Sequence, residues 1–216
     1  MPELDDGLLR GLIGDEPFER ARSHDAPEVL QRKRDALGAE HVKPFESARN
    51  DMLGAMSRAG VKEPESYLPR VDPASGGVHA RLVVLTEAPS ASALESAGGS
   101  GFASTDNDDP ISERMWRLCG DAGLERYEVV HWNCIAWDKT LKLERALVRA
   151  FLRRWLQVME GPSRVVLLST AAKGFRADVR AGLPEAEITD VLSSSSRVAL
   201  SDPRVDAGIV AALRGW

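Results

Sequence analysis

Arg81-Leu82-Val83-Val84-Leu85-Thr86-Glu87-Ala88-Pro89-Ser90 contains a short apolar run, rich in β-branched residues, that ends in a polar turn carrying a proline. A run of this length and composition reads as a buried strand. It is followed by a long loop and then by a helix expected over about 111–119. The same unit recurs as Glu128-Val129-Val130-His131-Trp132 and a helix, then as Arg164-Val165-Val166-Leu167-Leu168 and a helix over 171–179. A weaker strand over 187–192 precedes a closing helix over about 203–213. Strands alternating with helices imply an α/β fold, three layers deep, with a central four-stranded parallel sheet reached by right-handed crossovers. Ligands of such sheets bind outside the carboxyl ends of the strands. The residues to question are therefore 86–90, 133–138, 169–173 and 193–197.

Upstream, Pro27 opens a helix over 28–37 that Gly38 stops, and a second helix from Pro44 carries Phe45, Ala48, Met52, Leu53 and Met56 at helical spacing until Gly60. Residues 64–77, with Pro69, Pro73 and Gly76-Gly77, read as a wrapping loop. Residues 1–70 are expected to form a helical extension packed on a domain over 71–216. At 216 residues, 43% hydrophobic and 28% charged, the chain has ordinary globular values, which excludes a disordered or coiled-coil class. The longest apolar stretch falls far short of a membrane span, and the acidic start Met1-Pro2-Glu3-Leu4-Asp5-Asp6 does not read as a signal peptide. The expected compartment is the cytoplasm, with no membrane partner. A net charge of −5 argues against strong non-specific nucleic-acid binding, though a local basic patch stays open.

Several motifs fail on their chemistry. Asp106-Asn107-Asp108-Asp109 begins like a calcium loop, but its sixth position is Ile111 and its twelfth Arg117, where glycine and glutamate are required. Gly98-Gly99-Ser100-Gly101 lies too far beyond the first strand for a dinucleotide fingerprint, and Ala172-Lys173-Gly174 is no phosphate loop. His24, His41, His79 and His131 have no ligand spacing, and Cys119 and Cys134 fit reduced core residues. No metal and no cofactor is expected.

The strand-end segments Thr86-Glu87-Ala88-Pro89-Ser90, Gly101-Phe102, Trp132-Asn133 and Ser193 to Arg197 fall into a recognisable order. As a set they resemble the uracil-DNA glycosylase superfamily. The nearest likeness is a bacterial branch with a Gly-Gly-Val-x-Ala-Arg segment before the first strand, here Gly76 to Arg81. The resemblance covers about 71–216. It implies hydrolysis of the N-glycosidic bond of a deaminated base in DNA, without metal or cofactor.

The resemblance implies a role for each matching residue. Phe102 would stack on the extruded base, with ordinary core burial as the open alternative. Asn133 would read the base edge through an amide that both donates and accepts, or merely cap a turn. Glu87 would orient or deprotonate the attacking water, or stand as a solvated loop acid. Ala88, Pro89 and Ser90 would border the base, Ser90 standing where glycine is common. Ser195, Arg197 and Lys139 would meet phosphate. Ser193 or Arg197 would supply a weak anion site for the leaving base, Ser193 being the catalytic candidate where the family presents a histidine, and losing such a donor costs about a hundredfold to a thousandfold in rate. Asp138 departs too, and is unfavourable near phosphate unless paired with Lys139. The rival reading is a catalytically inactive module that keeps the pocket for a nucleobase, nucleotide or protein ligand. A helix expected over 141–159 carries Arg145, Arg149 and Arg153 four apart, read either as a phosphate stripe or as a solvated face.

Overall fold

A computed structural model describes residues 21–191 and 202–215. In chain order its elements are α1 (Pro27–Asp35), α2 (Lys43–Arg58), β1 (Arg70–Val71), β2 (Leu82–Thr86), β3 (Phe102–Ala103), α3 (Pro110–Asp121) and β4 (Val129–Asn133). There follow α4 (Arg145–Leu156), β5 (Arg164–Leu168), α5 (Thr170–Lys173), α6 (Arg176–Gly182), β6 (Glu187–Val191) and α7 (Pro203–Arg214). The apolar run at Leu82 becomes β2, which pairs in parallel with β4 on one side and β5 on the other, and β5 pairs in parallel with β6. The order β4-β2-β5-β6 gives the expected four-stranded parallel sheet in a three-layer α/β/α arrangement. No helix among the described residues is long and apolar enough to cross a membrane.

Alternation along each strand sends successive side chains to opposite faces and so builds two cores. Val83, Leu85, Val130, Trp132, Val165 and Leu167 meet residues of α2, α4 and α6. Leu82, Val84, Val129, Val166 and Leu168 meet α3 and α7. On the first face Trp155 of α4 stacks on Trp132 at 5.0 Å and 7° and on Phe45 of α2 at 4.7 Å. One aromatic pile thus joins the upstream helix, the crossover helix and an edge strand of the sheet.

Three expected elements differ in detail. The helix expected over 141–159 runs only over Arg145–Leu156, because the Asp138 carboxylate accepts from Thr140 N and the Asp138 carbonyl from Leu141 N, closing a turn there. The helix expected over 171–179 is broken in two. Gly174 N and Phe175 N bond the carbonyls three residues back, a tightened turn that ends α5 before α6 restarts. The wrapping loop over 64–77 contains β1, which pairs in parallel with β3. Gly77 closes that segment in the left-handed region, at φ +55, where an added Cβ would lie 2.1 Å from the His41 carbonyl oxygen.

In the arginine row on α4, Arg145 is exposed, while Arg149 and Arg153 turn to a partner inside the protein. Asp178 of α6 is fully buried, and Arg149 and Arg153 both reach it, Arg153 through Nε at 2.9 Å and Nη2 at 2.6 Å. Both arginines keep partial solvent exposure while the acid has none. Removing the cations is therefore worse than removing the anion, since a freed arginine can turn to water and a stranded carboxylate cannot. The double variant Arg149→Met, Arg153→Met is expected to lose about 3–5 kcal/mol in urea unfolding. Asp178→Asn is expected to lose clearly less.

Candidate functional site

The sheet changes winding direction at β2. The chain leaves β2 for β4 on one side, then crosses to β5 and β6 on the other, so the connections that leave β2 and β5 pass to opposite faces of the sheet and open a crevice beyond the strand ends. A cleft of about 270 Å³ lies there. Its walls are Thr86 to Ser90 after β2, His131 to Asn133 of β4, Leu168 and Ser169 at the end of β5, and the start of α3 with the loop before it.

The cleft gathers Glu87, Ala88, Pro89, Ser90, Asn133 and Lys139 from separate parts of the sequence. Thr86 and Asn133 stand at the same level of β2 and β4, and Thr86 Oγ1 donates to Asn133 Oδ1 at 2.8 Å. Beyond the strands the two loops stay joined, Cys134 N donating to Thr86 O at 2.9 Å and Ile135 N to Glu87 O at 2.8 Å. The Glu87 side chain is 43% exposed, with Lys139 Nζ 3.9 Å away. Lys139 thus faces Glu87 rather than Asp138, whose carboxylate is taken by the turn at Thr140.

Phe102 is placed differently from the expectation. Pairing of β3 with β1 turns its ring inward, where it is 1% exposed and lies 5.9 Å from the His24 ring. It does not line the cleft, so burial is its role in this geometry, and its successors Ala103, Ser104 and Thr105 form the wall instead. Ser193, Ser195 and Arg197 lie outside the described residues.

Several cleft groups were not singled out in the sequence. Asp109 caps α3 by accepting from Ile111 N and Ser112 N, each at 2.9 Å, and also accepts from Ser112 Oγ and Ser92 Oγ. Ser92 spends its proton on Asp109, so Ser90 Oγ, 2.7 Å from Ser92 Oγ, donates there. His131 faces the cleft with Nε2 3.8 Å from Cys119 Sγ, and burial with the nearby Arg126 charge brings its pKa down to about 4. The proline after Asp109 was a legible cap signal; the meeting of Thr86 with Asn133 was not.

Behind the wall lies a buried charge cluster. Lys33 Nζ sits 2.7 Å from both Asp72 Oδ2 and Asp106 Oδ2, and Arg126 Nη2 sits 2.6 Å from Asp106 Oδ2. Burial alone would raise both carboxylates, but the attraction of Lys33 and Arg126 prevails and leaves both below the usual range. Beside them His24 Nδ1 lies 2.8 Å from Asn107 Oδ1. Ser100 Oγ donates to the same Oδ1 and Asn107 Nδ2 donates to Phe102 O, so the imidazole Nδ1 carries the proton. Burial and the Lys33 charge bring the His24 pKa down to about 4. His24, Asp72 and Asp106 offer ligand atoms within 4.8 Å of one another, a metal-like grouping. Two carboxylates there already face one ammonium and one guanidinium, so a divalent ion would have to displace Lys33 and leave the buried cluster with excess positive charge.

No protein-family model matches the chain and no curated protein matches it.

His24 and His131 titrate near 4 in the folded state and near 6.5 unfolded, so below pH 6.5 the unfolded chain binds protons that the native one refuses. Stability present above pH 6.5 is expected to fall between about pH 6.5 and 4, by up to about 3 kcal/mol for each histidine, as read from urea midpoints at several pH values. Separately, Lys33→Met strands two buried acids against Arg126 alone and is expected to cost about 3–5 kcal/mol. Added zinc is expected to leave the wild-type melting temperature unchanged.

Proposed function

We propose that the protein is uracil-DNA glycosylase-like and hydrolyses the N-glycosidic bond of a deaminated base in DNA. The observation that carries this reading is the convergence of Glu87, Pro89, Ser90 and Asn133 on one crevice at the carboxyl ends of β2 and β4. These are the residues that the resemblance assigns to water activation, loop rigidity and base reading. At about 270 Å³ the cleft is near the lower end of the usual ligand range, a size suited to a single flipped base. Glu87, partly open to solvent beside the cleft, would hold the attacking water and offset positive charge developing on the sugar. Asn133 would read the base edge. Lys139 at the rim would meet backbone phosphate, and DNA binding would be weak and salt-dependent because the chain carries −5 overall. The proposed setting is the cytoplasm.

One observation favours the second reading, an inactive nucleobase-, nucleotide- or protein-binding module. Phe102 is buried away from the cleft, so the stacking ring that the resemblance implies is missing from the wall, in addition to the serine at position 193.

Purified protein incubated with oligonucleotides carrying uracil, hypoxanthine or xanthine, then treated with alkali, tests both. The glycosylase reading expects slow strand cleavage at one deaminated base, reduced about a hundredfold or more in Glu87→Gln. Cleavage at none of them, with base binding retained, would establish the module reading.

A further inference from the structure

Cys119, in the last turn of α3, and His131, in the middle of β4, face each other where helix and sheet pack, with Cys119 Sγ 3.8 Å from His131 Nε2. Neither side chain has another hydrogen-bond partner among the described residues. Both residues keep partial solvent exposure, and His131 lines the cleft, so the pair has an entry path from solvent. Thiolate and imidazole are ligands for soft and borderline metal ions. With bonds of about 2.3 Å to sulfur and about 2.0 Å to nitrogen, atoms 3.8 Å apart close around one ion at about 125°, without movement of helix or strand. That is close to the angle of a three-coordinate ion, and its third position is left to a donor entering from the cleft. The grouping of His24, Asp72 and Asp106 differs, because Lys33 already holds both of its carboxylates.

Charge selects the ion. The Arg126 guanidinium acts on both residues, and burial keeps the thiol and the imidazole neutral at neutral pH. A monovalent ion that replaces the Cys119 proton leaves the pair neutral beside Arg126. A divalent ion would leave a positive charge there, in a place with little water to screen it. Among monovalent ions, thiolate selects copper(I). We infer that Cys119 and His131 form a binding site for copper(I), held by thiolate and imidazole at the inner wall of the cleft. Binding breaks the Cys119 S–H bond and sends its proton to solvent, while sulfur and the Nε2 lone pair each form a bond to the ion and no oxidation state changes. The ring proton of His131 then stands on Nδ1. The site is independent of what the cleft itself takes, and it goes beyond the glycosylase reading.

The test is an oxygen-free titration of the reduced full chain with copper(I), in competition with the chromogenic chelator bicinchoninate. Wild type is expected to withhold one equivalent from the chelator. Cys119→Ser is expected to weaken binding about a hundredfold or more, and His131→Gln about tenfold or more. Cys134→Ser is expected to leave the affinity unchanged, which separates this pair from thiol binding in general. Should Cys119→Ser or His131→Gln fail to fold, Cys119→Ala or His131→Asn carries the same expectation. The inference is overturned if wild type withholds no copper(I), if a folded variant at Cys119 or His131 binds as wild type does, or if the loss follows Cys134→Ser instead. Zinc bound by wild type as tightly as copper(I), and lost in Cys119→Ser, overturns the selection by charge and the assignment of copper(I) with it.

Discussion

The parallel register of β2 with both of its neighbours is the constraint from which the rest follows. Because Leu82 to Leu85 is apolar on both faces, the strand has to be covered on both, and helices from either side of the sequence supply the cover. Because β4 and β5 run in the same direction as β2, their last residues emerge at one edge. Thr86, Asn133 and Ser169 are neighbours in the cleft for that reason alone, since 83 residues separate the first of them from the last.

The charged side chains that matter most are inside. Asp178 and the Lys33 cluster each balance buried carboxylates with cations, and each ties one layer to another: α6 to α4 in the first case, α1 to the loops at Asp72 and Asp106 in the second. Such pairs add little net stability over an apolar core, yet they penalise any arrangement in which one partner is missing. The wall of the cleft between Ser104 and Asn107 is held on its far side by this second cluster. A surface of modest charge can thus sit over an interior whose layers are held in one arrangement by ion pairs.

The sheet and its helices were legible because period and composition report burial directly. Leu82 to Leu85 and Arg164 to Leu168 are too short for a buried helix and rich in valine, which favours the strands they form, and Pro27, Pro44 and Pro203 mark helix starts that the chain uses. Helix ends were less legible where a side chain competes with the backbone, as Asp138 does, or where a three-residue turn interrupts a good pattern at Gly174. In the site, the strand-end position of Glu87 and Asn133 could be read from the order of elements. Phe102 could not be placed, because its inward turn depends on β1, two residues whose pairing leaves no periodic trace. The partners of Arg149 and Arg153 were hidden for the same reason: a helix face shows which residues share it, not what lies opposite.

The two cysteines carry a consequence of a different kind. Cys134 is buried and Cys119 half-buried, both are free thiols, and burial raises each to about 12. At neutral pH almost none of either is thiolate, the form that alkylating reagents and oxidants attack. The native chain is therefore chemically quiet toward both, and it stays so only while folded. A cysteine introduced at an exposed cleft rim would be the one fast-reacting thiol in the folded protein, while slow modification of Cys134 would count the moments at which the core beneath the cleft comes apart.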